Sequence, residues 1–356
     1  MNKQPIILAI DTSCDETSVA ITQGRTILAN GISSQIELHK KWGGVVPSIA
    51  ARAHEQQIEP VIRSALRSAK LNLSEIDAFA VTEGPGLAIA LEVGIAKAKR
   101  LASDYQKPLI AINHMVGHIY ANLAESKSGQ TTLPALTYPA LALLVSGGHT
   151  ELVYLKNPVD LTIIGQTLDD AMGEAYDKVA KMLGLGYPGG PVVARLAKAG
   201  NPTAYDFPIP MKQSGDLNFS FSGLKTAVLY KIKALTADGQ SLTRQQVTDL
   251  AASFQAAAFE AIITKLLVAV QNYSVKQLLL GGGVIANTEF RRAIRKALRP
   301  YELSIHYPNV KKLCTDNAAM IGIAAFYALE RGETVAEIEK LDRQPTLRLK
   351  SATRTR

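Results

Sequence analysis

Two stretches of this chain follow one plan. Ile6-Ile7-Leu8-Ala9-Ile10-Asp11 is an apolar run of strand length. The polar turn Thr12-Ser13-Cys14-Asp15-Glu16-Thr17 follows, and Ser18-Val19-Ala20-Ile21-Thr22 returns as a second strand. Roughly 130 residues later Ala140-Leu141-Ala142-Leu143-Leu144-Val145 leads through Ser146-Gly147-Gly148-His149-Thr150 into Glu151-Leu152-Val153-Tyr154-Leu155. Strand, small polar turn, strand, met twice, predicts two halves of similar architecture, although their residues match only faintly. Around the hairpins strands alternate with helices, which sets the class as α/β.

The rest of the chain fills in that frame. A helix from Ser48 towards Ala69 carries Pro60, which is expected to kink or break it. A strand over 78–82 runs into the turn Glu83-Gly84-Pro85-Gly86, and a helix over 88–104 follows with Lys97, Lys99 and Arg100 outward. The loop-like segment 124–138 marks the boundary between halves. Beyond it come helices opened at Asp169-Asp170-Ala171 and after Phe219-Ser220-Phe221-Ser222-Gly223, a long helix over 243–272, and a strand over 277–280. That strand enters Gly281-Gly282-Gly283, and a strand over 303–306 comes later. In Cys314-Thr315-Asp316-Asn317 the Thr-Asp pair is expected to cap the last helix. The expected division is an N-terminal lobe over 1–137 to which the helix 316–332 returns, a C-terminal lobe over 138–315, and a flexible basic tail over 343–356.

Composition narrows the setting. At 356 residues, 47% hydrophobic and 20% charged, the chain is long enough for two domains. No apolar run reaches the ~18–20 residues that span a bilayer, and the start has no signal-peptide pattern. Two cysteines, Cys14 and Cys314, make no disulfide framework, so the expected location is the cytoplasm. A net charge of +8 suits a polyanionic partner such as a nucleic acid.

Candidate chemistry begins at Asn113-His114-Met115-Val116-Gly117-His118. Histidines four apart on a helix share a face and can address one metal ion; the same pair can also merely line a helix start. Met115 stands where an HExxH metalloprotease carries its glutamate base, which excludes that chemistry. A metal needs a third protein ligand, and Asp316 is the candidate, with a plain N-cap as its other reading. Asp11 either activates a nucleophile, orients a second ion, or simply ends a strand. Asp177, four residues before Lys181, reads as a surface ion pair. Glycine turns at 146–148, 189–190 and 281–283 can bring backbone amides up to an oxyanion; none is a P-loop or a GxGxxG fingerprint. Together with the acid-tipped hairpin they make the layout of phosphate and nucleoside loops in a two-lobed nucleotide cleft. A catalytic thiolate wants a helix N-terminus or a base nearby, which of the two cysteines only Cys314 could have.

Ten motifs then occur in one order: Asp-Thr-Ser-Cys-Asp-Glu-Thr-Ser at 11–18, Gly-Gly-Val-Val-Pro at 43–47, Gly-Pro-Gly-Leu at 84–87, Asn-His-x-x-Gly-His at 113–118 and Leu-Val-Ser-Gly-Gly-His-Thr at 144–150. Gly-Glu-Ala-Tyr-Asp-Lys at 173–178, Tyr-Pro-Gly-Gly-Pro at 187–191, Phe-Ser-Phe-Ser-Gly-Leu-Lys-Thr at 219–226, Gly-Gly-Gly-Val-x-Ala-Asn at 281–287 and Cys-Thr-Asp-Asn-Ala-Ala-Met at 314–320 follow. From Ile6 to about Ala328 the chain resembles the catalytic subunits of tRNA N6-threonylcarbamoyladenosine synthesis, a family once described as O-sialoglycoprotein endopeptidases.

The resemblance implies two ribonuclease-H-like lobes of the actin/heat-shock-chaperone/sugar-kinase (ASKHA) superfamily with a nucleotide cleft between them. It implies one divalent metal ion, Fe2+ or Zn2+, on His114, His118 and Asp316, and an adenine nucleotide (threonylcarbamoyl-AMP, AMP or ATP) in the cleft. Substrate contacts carried onto matching positions are Leu144, Val145, Ser146, Gly147, Gly148, Asp177, Gly190 and Asn287. The implied reaction moves a threonylcarbamoyl group from L-threonylcarbamoyladenylate to N6 of the adenosine 3′ of the anticodon in tRNAs reading ANN codons, releasing AMP. Within it Asp11 is the expected proton acceptor or orienting group, with Glu16 as the alternative. Expected partners are tRNA, a paralogous ASKHA subunit, a small ATPase and an upstream threonylcarbamoyl-AMP synthase; no membrane is involved. The competing readings are a metal-dependent glycoprotease and a non-catalytic ATP-binding scaffold. Three positions depart from the family's frequent carboxylates: Ser48, Val116 and Ala194.

Overall fold

The computed structural model describes residues 4–131 and 133–351. The chain opens with the meander β1 (Ile6–Asp11), β2 (Glu16–Gln23) and β3 (Thr26–Ser34), then the single turn α1 (Ile36–His39) and the long α2 (Pro47–Ala69). Next come β4 (Ala78–Gly84), α3 (Ala88–Tyr105), β5 (Leu109–Asn113) and α4 (His114–Tyr120). A second meander follows, β6 (Ala140–Val145), β7 (Thr150–Asn157) and β8 (Asp160–Gln166), and then α5 (Met172–Met182), α6 (Gly189–Ala197), α7 (Ser222–Leu235) and α8 (Arg244–Tyr273). The chain finishes with β9 (Gln277–Gly281), α9 (Thr288–Leu298), β10 (Ser304–His306), α10 (Ala318–Glu330) and β11 (Lys350–Ser351). Contacts divide it into two compact units. One takes in the chain up to Leu136 with His306–Leu349, the other Thr137–Ile305 with the chain from Lys350.

Each unit is built on a sheet of the same order. In the first it runs β3-β2-β1-β4-β5; in the second, β8-β7-β6-β9-β10, with β11 added outside β8. The meander strands pair antiparallel, while β4 lies parallel to β1 and β9 parallel to β6. A parallel neighbour needs a helical crossover. In the first unit α2 and α3 supply these crossovers, and in the second α5 to α8 fill the first one. Every residue of β1 and of β6 is buried, which is why both read as unbroken apolar runs rather than alternating ones.

Helix α2 is not broken at Pro60, the stronger of the two expected effects: it runs continuously from Pro47 to Ala69. Its apolar face runs on both sides of the proline, with Ile58, Val61, Ile62 and Ala65 packed into the cluster that holds Val19 and Ile21. Pro60 and Gln56, whose carbonyl loses its helical partner, are both exposed, so the freed acceptor is not buried. Helix α8 is long and apolar enough to cross a membrane, but 67% of its most apolar stretch is buried inside the fold. It packs on α6, α7 and α9 as a core helix.

The last helix, α10, returns to the first unit and packs on β1, β2, β5 and α4. Gly117 of α4 permits that approach, because a Cβ there would stand 2.9 Å from Ile321 Cδ1. Residues 343–349 correct the expected flexible tail. Gln344 N–H donates to the Glu83 carbonyl at 2.7 Å, Gly86 N–H to the Pro345 carbonyl at 3.1 Å, and Arg343 pairs with Glu92 at 2.6 Å. Backbone pairing to the turn at 83–86 holds this segment, and charge composition is blind to that. The last five positions of the expected tail, 352–356, lie outside the described residues.

Candidate metal centre

Strand β5 ends at Asn113, whose side-chain oxygen accepts from the amides of Met115 (2.8 Å) and Val116 (3.3 Å) and so starts α4. The helix start therefore has its cap, and His114 and His118 are left facing one way, both buried. The expected cap is corrected at α10. Asn317, not the Thr315-Asp316 pair, is the N-cap, accepting from Met320 N–H at 3.2 Å. Asp316 is released to the histidines. Its Oδ1 lies 3.4 Å from His114 Nε2 and 3.3 Å from His118 Nε2, and one atom from each of the three side chains falls within 4.8 Å of the others. Ser18 ties the start of α10 to the first hairpin, its hydroxyl accepting from Ala318 N–H at 2.8 Å.

The three residues fit a divalent metal. Both ring nitrogens of His118 are buried; among the described residues Nδ1 has no hydrogen-bond partner and Nε2 has only the Asp316 carboxylate at 3.3 Å, an arrangement that an ion held between them would satisfy. The two N···O separations sit near the edge of a tetrahedron with metal bonds of ~2.0–2.1 Å, which is about 3.4 Å. At the far side of His114, Nδ1 lies 3.1 Å from Ser13 Oγ and 3.7 Å from Asp11 Oδ2. A proton on Nδ1 answers both oxygens and leaves the Nε2 lone pair towards Asp316, as in a carboxylate–histidine–metal relay.

Electrostatics follows the same lines. Burial works against a charge on His114, but the Asp316 carboxylate, helped by Asp11, outweighs it and pushes the pKa up to about 9. Burial holds His118 below its ordinary value. Burial also opposes the Asp316 charge, yet the two imidazoles keep its carboxyl well below the usual range. A metal must therefore displace one proton, that of His114. Metal affinity is expected to rise about tenfold per pH unit up to the His114 pKa of about 9 and then level off. Chelator competition at several pH values checks this; a flat profile contradicts the pairing.

The other first-unit candidates are placed as follows. Asp11 is buried, and its Oδ1 accepts from Ser13 N–H at 3.1 Å and Thr82 Oγ1–H at 2.9 Å, so the carboxylate is fixed beside His114. Glu16 is pushed up to about 10 by burial and by the charges of Asp15 and Asp316, so at neutral pH it carries a proton and is a poor base. Burial and the same acids raise the Cys14 thiol, which makes it inert.

In the second unit Leu144 and Val145 are fully buried at the end of β6, a strand paired on both sides. The turn after them closes on itself, Ser146 N–H donating to the His149 carbonyl (2.8 Å) and His149 N–H to Ser146 Oγ (3.1 Å). Gly173 N–H at the start of α5 donates to the Ser146 carbonyl at 3.1 Å. Gly147 and Gly148 are exposed, with none of the described residues within 4 Å of where a Cβ would be. One turn along α5, Asp177 Oδ1 accepts from the amides of Gly189 (2.7 Å) and Gly190 (3.2 Å), so this carboxylate starts α6, a task the surface-pair reading with Lys181 did not include. Asn287 caps α9 through Glu289 N–H (3.0 Å) and donates from Nδ2 to Gln255 Oε1 at 2.9 Å.

A model of the family described as tRNA N6-adenosine threonylcarbamoyltransferase matches residues 26–323. The chain belongs to that family. The tRNA N6-adenosine threonylcarbamoyltransferase of Moorella thermoacetica is 50% identical over 322 residues, covering 90% of this chain and 91% of that protein. The Bacillus subtilis (strain 168) enzyme of the same name is 47% identical over 354 residues, covering 98% and 97%. Solved structures share the fold at low identity. HypF of T. kodakarensis gives a TM-score of 0.62 at 13% identity over 96% of this chain and 50% of that one. The (R)-2-hydroxyglutaryl-CoA dehydratase component A of Acidaminococcus fermentans gives 0.52 at 13% over 92% and 100%. The threonylcarbamoyltransferase motifs did not point to Ser13 as a partner of His114, to Thr82 or to Gln255. Thr82 meets Asp11 only because β4 lies parallel to β1, which sequence spacing does not show. Gln255 had one signal, a polar residue on the buried face of an apolar helix.

Proposed function

We propose that this threonylcarbamoyltransferase takes its acyl group from L-threonylcarbamoyladenylate and delivers it to N6 of the adenosine 3′ of the tRNA anticodon. The observation that carries the reading is the convergence of His114, His118 and Asp316 in a chain of this family. The adenylate is a mixed anhydride, so its carbonyl is already activated. The N6–C bond forms, the C–O bond to phosphate breaks, AMP leaves with the electron pair, and the proton released from N6 passes to solvent. A bound Zn2+ or Fe2+ supplies Lewis-acid polarisation of a donor oxygen. The chain's own residues do the rest. Ser13 and Asp11 orient His114, and Asp11 acts through that histidine. The exposed amides of Gly147 and Gly148 are offered to phosphate oxygens. Asp177, by holding Gly189 and Gly190, and Asn287, by starting α9, shape the surface for the adenosine.

The test is incubation with threonylcarbamoyladenylate and unmodified tRNA, followed by nucleoside analysis, with His114→Ala as control. Threonylcarbamoyladenosine formed by the parent chain alone supports the reading; free threonine and unmodified tRNA refute it. Docking of tRNA is proposed to run through basic segments such as α9, with Arg292 and Lys296. Affinity is then expected to fall roughly 10³–10⁵-fold between about 50 and 200 mM salt if six to ten phosphates are contacted. A filter-binding series that shows salt-independent affinity excludes this mode. Cytoplasmic location, and assembly with a paralogous subunit and a small ATPase, belong to the same proposal.

A further inference from the structure

Behind the tip of the first hairpin lies a row of buried polar side chains that the reaction above does not use. Thr17, His39 and His54 are fully buried and Gln35 is 2% exposed. Their hydrogen bonds can be assigned a direction from one end. The Cys14 carbonyl only accepts, so His54 Nε2, 3.0 Å away, carries the proton. Nδ1 of the same ring is then an acceptor, and it receives the Thr17 hydroxyl at 2.8 Å and Gln35 Nε2–H at 3.2 Å. The Ala50 carbonyl, 3.3 Å from Gln35 Nε2, confirms which end of the amide is nitrogen. Gln35 Oε1 therefore accepts from His39 Nε2–H at 3.1 Å, and His39 Nδ1 accepts from Val46 N–H at 3.3 Å. Every donor in the row meets an acceptor, and both imidazoles are neutral. Burial lowers His54 below its ordinary pKa, in keeping with this.

The row grips the hairpin tip at two consecutive carbonyls. His54 holds that of Cys14, and the backbone N–H of Gln35 holds that of Asp15 at 3.0 Å. The residue before Cys14 is Ser13, whose hydroxyl is 3.1 Å from His114 Nδ1 and whose carbonyl accepts from Leu87 N–H at 2.8 Å. We propose that His54, supported by Gln35 and His39, is a positioning residue for the metal centre: it fixes the hairpin tip so that Ser13 presents its oxygen to His114. The inference rests on the metal reading but not on the identity of the acyl donor or the tRNA.

Two replacements of one residue separate positioning from bulk. His54→Gln keeps a donor at the ε position, within reach of the Cys14 carbonyl. His54→Asn keeps polar atoms only at the δ position, near Thr17 and Gln35, and leaves Cys14 unheld. Co2+ affinity by chelator competition and the visible ligand-field spectrum of the Co2+ form are read for each, beside thermal unfolding without metal. The expected result is about tenfold weaker Co2+ binding with an altered spectrum for His54→Asn, and near-parental values for His54→Gln, the scale of outer-shell replacements at metal sites. Equal Co2+ affinity and spectrum in parent and His54→Asn overturn the proposal, as does equal loss in both variants, which marks a structural role only. Should His54→Asn fail to fold, Thr17→Val, which removes one donor to Nδ1 at almost constant volume, is expected to weaken Co2+ binding severalfold; no change there overturns it as well. Because binding is read without tRNA or adenylate, a failure of the transfer reaction leaves this outcome distinct.

Discussion

Replacing His118 with alanine is expected to lower metal affinity by more than about 100-fold, beyond the ~10–100-fold that outer-shell residues command. Transfer is expected to fall with it. In the metal-free protein the change removes packing and the contact of His118 Nε2 with Asp316 at 3.3 Å, so the loss of metal affinity is expected to exceed any loss of stability. A structural histidine would show the reverse pattern, lowered stability with unaltered activity per folded molecule. Asp316→Ala gives the complementary result. It removes the charge that raises His114, and burial, the largest opposing cause, then brings that ring below its ordinary value. Metal-binding isotherms and an NMR titration of His114 in the two variants check both statements. Affinity within a few-fold of the parent, or a His114 titration still near 9 in Asp316→Ala, contradicts them.

Gly282→Ala is expected to destabilise the second unit strongly. Gly282 has φ +91°, and an added Cβ would lie 2.4 Å from the Val145 carbonyl oxygen and 3.0 Å from its nitrogen. These are backbone atoms of a buried central strand, which cannot swing away as a side-chain end can. Backbone strain of about 1–3 kcal/mol adds to that clash, so a loss of about 3 kcal/mol or more is expected. Gly147→Ala, where none of the described residues lies within 4 Å, is expected to leave stability within ~0.5 kcal/mol while crowding the amides offered to phosphate. Denaturant unfolding should therefore single out Gly282→Ala, and transfer assays on folded protein Gly147→Ala. A stable, fully folded Gly282→Ala, or a Gly147→Ala indistinguishable from the parent in transfer, removes the role assigned to each glycine.

Both hairpins were legible because central strands covered on both faces leave continuous apolar runs. The helix starts at α4, α5 and α7 could be read from local residues for the same kind of reason. What stayed hidden depended on pairing at a distance. Asp316 reads as a cap until Asn317 is seen to take that post, and only the packing of α10 on α4 brings it to the histidines. Pro60 breaks a helix by local rule, yet apolar packing on either side of it prevails. Residues 343–349 look like a tail because their hold is backbone pairing to 83–86, for which composition carries no mark. Asp177 shows the limit from the other direction. Its spacing to Lys181 is a genuine helical pattern, but the carboxylate's bonds to Gly189 and Gly190 depend on where α6 begins.

The measurement that bears most directly on the metal centre is X-ray absorption on the Zn2+-loaded protein. The account predicts two imidazole nitrogens and carboxylate oxygen at ~2.0–2.2 Å, with one imidazole contribution lost in His118→Ala. Sulfur scattering at ~2.3 Å, which would bring in Cys14 or Cys314, or a shell without imidazole, would contradict it.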